Sequence, residues 1–191
     1  MNNQTLLNQL ITSVQQYEGR IIQQPTLLQA GVLVAITDEI DPHLVLTRRA
    51  DHLNTHSGEV AFAGGKRDDT DPDIIFTALR EAHEEINLAS NDVTVIGQLD
   101  QVVSRFGYVV TPIVGVIPAD IQFTANLDEL DAVFKVPLRF FLETEPHDYF
   151  EGGSFSIPSF HYEGFRIWGL TAMMITEMVN NHLNADINIR F

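Results

Sequence analysis

Between Arg80 and Glu85 the chain places one arginine and three carboxylates, Arg80-Glu81-Ala82-His83-Glu84-Glu85, downstream of Gly64-Gly65 and the acidic run Asp68-Asp69-Thr70-Asp71. Oxygen ligands grouped in this way suit a hard divalent cation such as Mg²⁺ or Mn²⁺. Such an ion can polarise a phosphoryl oxygen and lower the pKa of a water nucleophile. Hydrolysis of a phosphoanhydride is the chemistry these residue types suggest.

The carboxylates differ in where a helix would put them. With ~100° per residue, Ile74, Ile75, Ala78, Leu79, Ala82 and Ile86 form an apolar stripe. Glu85 lies about 60° from its centre, Glu81 about 100° and Glu84 about 160°. A solvated face accounts for Glu84, which has Arg80 four residues earlier as a weak surface partner. It accounts poorly for Glu81 and Glu85, because a carboxylate bordering the buried side is costly unless paired or bound to metal. Spaced i and i+4, those two can converge on one ion. Asp71-Pro72 reads as the helix start, with Asp71 as its cap, and Asn87 can take the left-handed conformation that ends it.

Charge limits the partners. The formal net charge is −15, so nucleic-acid duplexes and anionic membrane surfaces would be repelled. Of eleven Lys and Arg residues, six (Arg48, Arg49, Lys66, Arg67, Arg80 and Arg105) fall between positions 48 and 105. They flank the acidic helix in sequence and could form a rim that receives phosphate. The chain has no cysteine, which removes disulfides, thiolate metal sites and cysteine nucleophiles and fits a reducing cytoplasm. The N-terminus lacks the basic segment and apolar run of a signal peptide, and no stretch approaches the ~18 apolar residues of a spanning helix. The expected location is cytoplasmic.

The 191 residues suffice for one well-buried domain. Positions 1–191 are therefore expected to form a single domain, with 1–24 as an N-terminal helical extension. Leu6, Leu7, Leu10, Ile11 and Val14 share a helical face, which predicts a helix ending near Gly19. Short β-branched runs at Ala30–Ile36 and His43–Thr47 predict a hairpin around 38–42. Val60 and Phe62 alternate in a short strand leading to a glycine turn at Gly64-Gly65. Further strands are expected at Val93–Leu99, Tyr108–Ile117 and Asp131–Val136, with a short helix opened by Pro137. A late hairpin around Pro158-Ser159 and a helix from Thr171 to Leu183 close the chain. Strands with interspersed helices imply an α/β (α+β) sandwich, helices covering a mixed sheet.

The segment from Gly65 to Leu88 resembles the Nudix box. Gly65 fills its first position, and Arg80, Glu81, Ala82, Glu84, Glu85 and Leu88 fill its dense second half. The upstream run from Leu46-Thr-Arg-Arg through His56-Ser-Gly-Glu-Val-Ala-Phe-Ala-Gly-Gly65 is similar to the signature of the coenzyme A pyrophosphatase branch. The likeness extends to Tyr108-Val-Val-Thr-Pro, Asp128-Glu-Leu and Trp168-Gly-Leu-Thr-Ala. There are departures. Asp71 stands for the first Glu of the box, with eight residues before Arg80 instead of seven. Asn87 stands for the final Gly, Ala63 for the branch's Pro, Glu59 for its Gln and Ala50 for its Ser.

The resemblance implies a Nudix-type α/β/α sandwich around a mixed β-sheet. It implies Mg²⁺ or Mn²⁺ on Glu81 and Glu85 with Glu84 as an auxiliary ligand, and Arg80 orienting the acidic cluster. The Gly64-Gly65 backbone could supply an oxygen and allow close phosphate approach. Glu81 or Glu129 is the candidate base. Arg48 and Arg49 are candidate phosphate contacts, and His56 a candidate substrate contact. The expected partner is a small nucleotide, coenzyme A before others, and a homodimer is compatible with these features. The implied products are adenosine 3′,5′-bisphosphate and 4′-phosphopantetheine. Two alternatives stay open: a Nudix hydrolase of a dinucleotide, ADP-ribose or nucleotide sugar, and a non-catalytic Nudix-like nucleotide-binding module.

Overall fold

The computed structural model describes residues 5–53, 57–152 and 155–190. In chain order the elements are α1 (Leu6–Gln15), β1 (Leu28–Asp38), β2 (His43–Arg49), β3 (Val60–Ala61), β4 (Ala63–Lys66), α2 (Ile74–Ile86) and a 3₁₀ turn (Ser90–Asp92). They continue with β5 (Thr94–Gln98), β6 (Val102–Val103), β7 (Tyr108–Pro118), β8 (Leu130–Pro137), α3 (Phe140–Glu143), β9 (Asp148–Gly152), β10 (Phe155–Tyr162), β11 (Phe165–Ile167) and α4 (Gly169–Leu183).

The strands from β1 to β8 form one mixed sheet. At its centre β1 and β7 run parallel, in register from Leu28 opposite Tyr108 to Asp38 opposite Pro118. The remaining pairings are antiparallel. Alternation along β1 separates two cores. Val34 and Ile36 belong to one, with Val114 and residues of α1 and α4. Leu33 and Ala35 belong to the other, with Ile113 and the Ala78, Ala82 and Ile86 stripe of α2. Helices on both faces of a mixed sheet make an α/β/α sandwich, as the resemblance implies.

The second sheet, β9–β10–β11, packs on the α3–α4 side through aromatic contacts. Phe141 meets Phe160 at 5.2 Å, and Phe134 of the main sheet stacks on Phe165 at 3.9 Å. Met173, Met174 and Met178 are buried on α4, as expected of core filling. Among the described residues no helix is long and apolar enough to cross a membrane.

Several local expectations need correction. The first helix ends at Gln15, because Tyr17 and the Arg20 N–H turn aside to the Asp100 carboxylate, each at 2.7 Å. Pro137 ends β8 instead of opening a helix; α3 begins only at Phe140. The chain does not turn at Pro158-Ser159. Strand β10 runs straight through, and the turn lies at Glu163-Gly164, both with positive φ. Pro158 sits opposite Tyr149 between the Ser156 bridge to Arg190 and the β11 pairing that starts at Phe160. A strand position with one unpaired edge tolerates its missing N–H.

Candidate active site

Helix α2 carries the acidic residues, and its ends are set by its own sequence. The cap is Asp73, not Asp71: the Asp73 carboxylate accepts from the Phe76 N–H at 2.8 Å. Asn87 closes the helix at φ 57°, its N–H reaching the Ala82 and His83 carbonyls. Thr77 and Glu85 share the buried face with Ala78, Ala82 and Ile86, while Ile75 lies exposed.

Asp71 has a different task. It is buried and takes both prongs of the Arg80 guanidinium, Nε to Oδ1 and Nη2 to Oδ2, each at 3.1 Å. The Thr77 hydroxyl and the Asp68 N–H also donate to it, at 2.9 and 3.1 Å. These donors, Arg80 foremost, hold the Asp71 carboxyl down to about 2 despite its burial. The same arginine lies 2.9 Å from Glu81 and 3.1 Å from Glu84, and it donates to the Lys66 carbonyl at 3.2 Å. Asp71 sets the position of Arg80, and Arg80 in turn aligns two of the carboxylates. The buried Thr77 hydroxyl was the overlooked sequence signal, since it needs an acceptor nearby.

Gly64 and Gly65 lie in strand β4, paired with Val32 and Gly31, and not in a turn. Their lack of side chains serves close approach. A Cβ on Gly65 would stand 2.5 Å from the Glu81 carboxyl carbon, and one on Gly64 would overlap the Gly31 carbonyl and Val32. Ala63 is a buried strand residue opposite Leu33, so replacing Pro there does not loosen a turn.

Glu85 is 4% exposed. Its Oε2 accepts the Gly64 N–H at 3.1 Å, and Oε1 lies 3.8 Å from Arg49 Nη1. Burial first, then the Glu81 and Glu129 charges, push the Glu85 carboxyl up to about 8, although the Gly64 hydrogen bond and Arg49 oppose this. Burial likewise raises Glu81, with Arg80 opposing. Glu129 reaches the cluster through backbone ties. The Asn126 N–H donates to the Glu85 carbonyl at 2.8 Å, and the Ala50 N–H to the Glu129 carbonyl at 2.9 Å. The loop after β7 is thereby bound to both α2 and the end of β2.

The structure sorts the remaining candidates. Glu84 is half-exposed at 53% of its side chain and shares Arg80 Nη1 with Glu81, whose carboxyl its charge helps to raise. Arg48 is occupied by Asp51 at 2.6 Å and Asp131 at 3.3 Å. Arg49 points to Glu85, and its buried Nε has no hydrogen-bond partner among the described residues. His56 lies outside the described residues. The charge of Glu59 is matched by Arg105 at 3.4 Å, a pairing of distant sequence positions that spacing did not reveal.

Among the described residues no group of three His, Asp or Glu side chains is already gathered for a metal. The donor set nevertheless fits a hard divalent cation. A buried carboxylate, Glu85, feels two further carboxylates and has one arginine only at long range, so a cation there would relieve their repulsion.

A family profile of the NUDIX domain matches residues 27–145. The chain is 46% identical over 154 residues to an uncharacterized Nudix hydrolase, NudL, of Escherichia coli O7:K1, covering 78% of this chain and 80% of that protein. The same identity and coverage hold for the NudL of Escherichia fergusonii. Among solved structures, a MutT/nudix family protein from Enterococcus faecalis superimposes with a TM-score of 0.53 at 14% identity, covering 95% of this chain and 71% of that one. The Nudix hydrolase RenU from M. smegmatis gives 0.50 at 18% identity, covering 65% and 74%.

Proposed function

The chain belongs to the Nudix family, and from that premise we propose that it hydrolyses the phosphoanhydride of coenzyme A or an acyl-CoA. The products are adenosine 3′,5′-bisphosphate and (acyl-)4′-phosphopantetheine. Nudix hydrolases act on nucleoside diphosphate derivatives and generally use divalent metal ions. The observation that supports the reading is the convergence of Glu81 and Glu85 on the Gly64-Gly65 strand, Glu81 against Gly65 and Glu85 accepting the Gly64 N–H, with Arg49 beside Glu85. Coenzyme A, among nucleoside diphosphate derivatives, is favoured by the Leu46–Gly65 run, which supplies β2, β3 and β4 around that group.

Glu81 and Glu85 would hold Mg²⁺ or Mn²⁺, with Glu84 auxiliary through Arg80. Bound there, the ion supplies Lewis-acid charge to the phosphates and acidifies water. The chain's own residues do the remaining work. Arg80, anchored on Asp71, keeps Glu81 aligned with Gly65. Arg49, with part of its side chain exposed and Nη1 3.8 Å from Glu85, meets a phosphate oxygen of the substrate. Glu129, tied to Glu85 and Ala50 by its loop, accepts the proton of the attacking water, with Glu81 as the other candidate base.

The test is incubation with coenzyme A, ADP-ribose and diadenosine polyphosphates in Mg²⁺ or Mn²⁺, with products identified by mass spectrometry. Selective release of adenosine 3′,5′-bisphosphate is expected. Preferential cleavage of another substrate replaces the coenzyme A reading, and no turnover of any substrate leaves the binding-module reading in its place.

A further inference from the structure

The sheet β9–β10–β11 has two unlike faces. Phe160 and Tyr162 point to the aromatic cluster of α3. By alternation His161 and Ser159 lie on the opposite face, with their strand partners Arg166 and Asp148. Phe150 belongs to that face also, and Trp168, two residues past Arg166, continues it. There the Arg166 guanidinium carbon lies 5.4 Å over the indole of Trp168, and Phe150 meets the indole edge-on at 6.2 Å. Arg166 is held in place: its Nε donates to the fully buried Ser159 hydroxyl at 3.2 Å, and Nη2 stands 3.6 Å from Asp148. Half of the Arg166 side chain is nevertheless exposed, as is nearly half of Phe150. The hydrolytic chemistry uses none of these groups.

A hydrogen bond ties the end of this sheet to the strands of the candidate active site. Thr171, three residues after Trp168, donates to the Val60 carbonyl at 2.9 Å from a buried position. Val60 pairs with Arg48, and Gly64 follows after about 13 Å of extended chain. On a chain of net charge −15, an outward guanidinium laid on an aromatic ring is a local exception. It suits a ligand that is both planar and anionic, because arginine stacks on π systems and also pairs with phosphate.

We infer that Trp168, Arg166 and Phe150 form a nucleotide subsite, in which a purine ring stacks on the indole and guanidinium and a phosphate on its ribose meets Arg166. The inference rests on the reading of a nucleotide substrate and names which part of it this sheet would receive. Adenosine 3′,5′-bisphosphate carries both recognised groups.

Trp168 is the chain's only tryptophan, so its fluorescence reports this face and needs no turnover. Titration of the full chain in EDTA with adenosine 3′,5′-bisphosphate should give saturable quenching. Arg166→Gln and Phe150→Ala should each raise the dissociation constant roughly tenfold. Both side chains are about half-exposed, and an unchanged unfolding midpoint checks that each variant is folded. Absence of quenching, or equal dissociation constants in the wild type and both variants, overturns the subsite. Quenching without hydrolysis of any substrate keeps the subsite and removes the hydrolytic reading. Hydrolysis without quenching does the reverse.

Discussion

Arg80 and Asp71 face each other through two parallel hydrogen bonds of 3.1 Å, with the carboxylate buried and the guanidinium also touching Glu81 and Glu84. This pair connects the loop before α2 to the carboxylates on it, and it supplies the first prediction. The Asp71 carboxyl is depressed to about 2 from an ordinary value near 4. A depressed carboxyl adds stability that is complete above the ordinary value and lost as pH falls through the folded one. Unfolding curves should therefore show wild-type stability dropping between about pH 4 and pH 2. Asp71→Asn should be less stable at pH 7 and show a flatter slope in that window. An unaltered acid slope in the variant contradicts the pairing.

Gly65→Ala should lose stability by about 1–3 kcal/mol, because its methyl would press on the Glu81 carboxylate in a packed site. The double variant Gly65→Ala/Glu81→Ala should recover much of that stability and remain inactive. Urea denaturation of the two single variants and the double variant measures the coupling. Strict additivity would mean that Gly65 and Glu81 do not meet.

Glu85→Gln should lower the hydrolytic rate by roughly 10²–10⁴, the effect of losing a few kcal/mol of metal-based stabilisation. Glu84→Gln should cost much less, since the Glu84 side chain is half-exposed whereas Glu85 is buried. Steady-state kinetics at saturating Mg²⁺ compares the two. A near-normal rate in Glu85→Gln removes it from the ligand set.

His182 links α4 to α1: it is buried, 2.9 Å from the Ser13 hydroxyl and edge-on to Tyr17 at 4.9 Å. Burial lowers its pKa, with the Asp100 charge opposing. A lowered histidine favours the neutral form in the folded state, so its contribution is intact above about pH 6.5 and declines as pH falls below it. Hydrogen exchange of the α1 amides, corrected for the intrinsic pH effect, should be faster at pH 5.5 than at pH 7.5. In His182→Gln that difference should shrink.

Much of the site was legible because it is local. The division of Glu85 from Glu84 follows from the ~3.6-residue period, and Asn87 ending the helix from its tolerance of the left-handed conformation. Residue type and the following proline point to Asp71 as the cap, whereas it is the Asp73 carboxylate that accepts the Phe76 N–H. The glycines suggested a turn because sequence shows missing side chains but not what approaches them. The β10 hairpin was misplaced since Pro158 is a turn signal whose meaning depends on which strand edges are paired.

The sequence by itself determined the two-faced strands, the acidic helix and the order of its carboxylates relative to the core, since each depends on neighbours a few positions away. Only the tertiary structure decided that Asp71 serves Arg80, that the Glu129 charge is felt at Glu81 and Glu85, and that Arg105 answers Glu59. Those pairings join residues from 9 to 48 positions apart along the chain. What brings each together is packing and backbone hydrogen bonding elsewhere in the fold, which no spacing rule encodes.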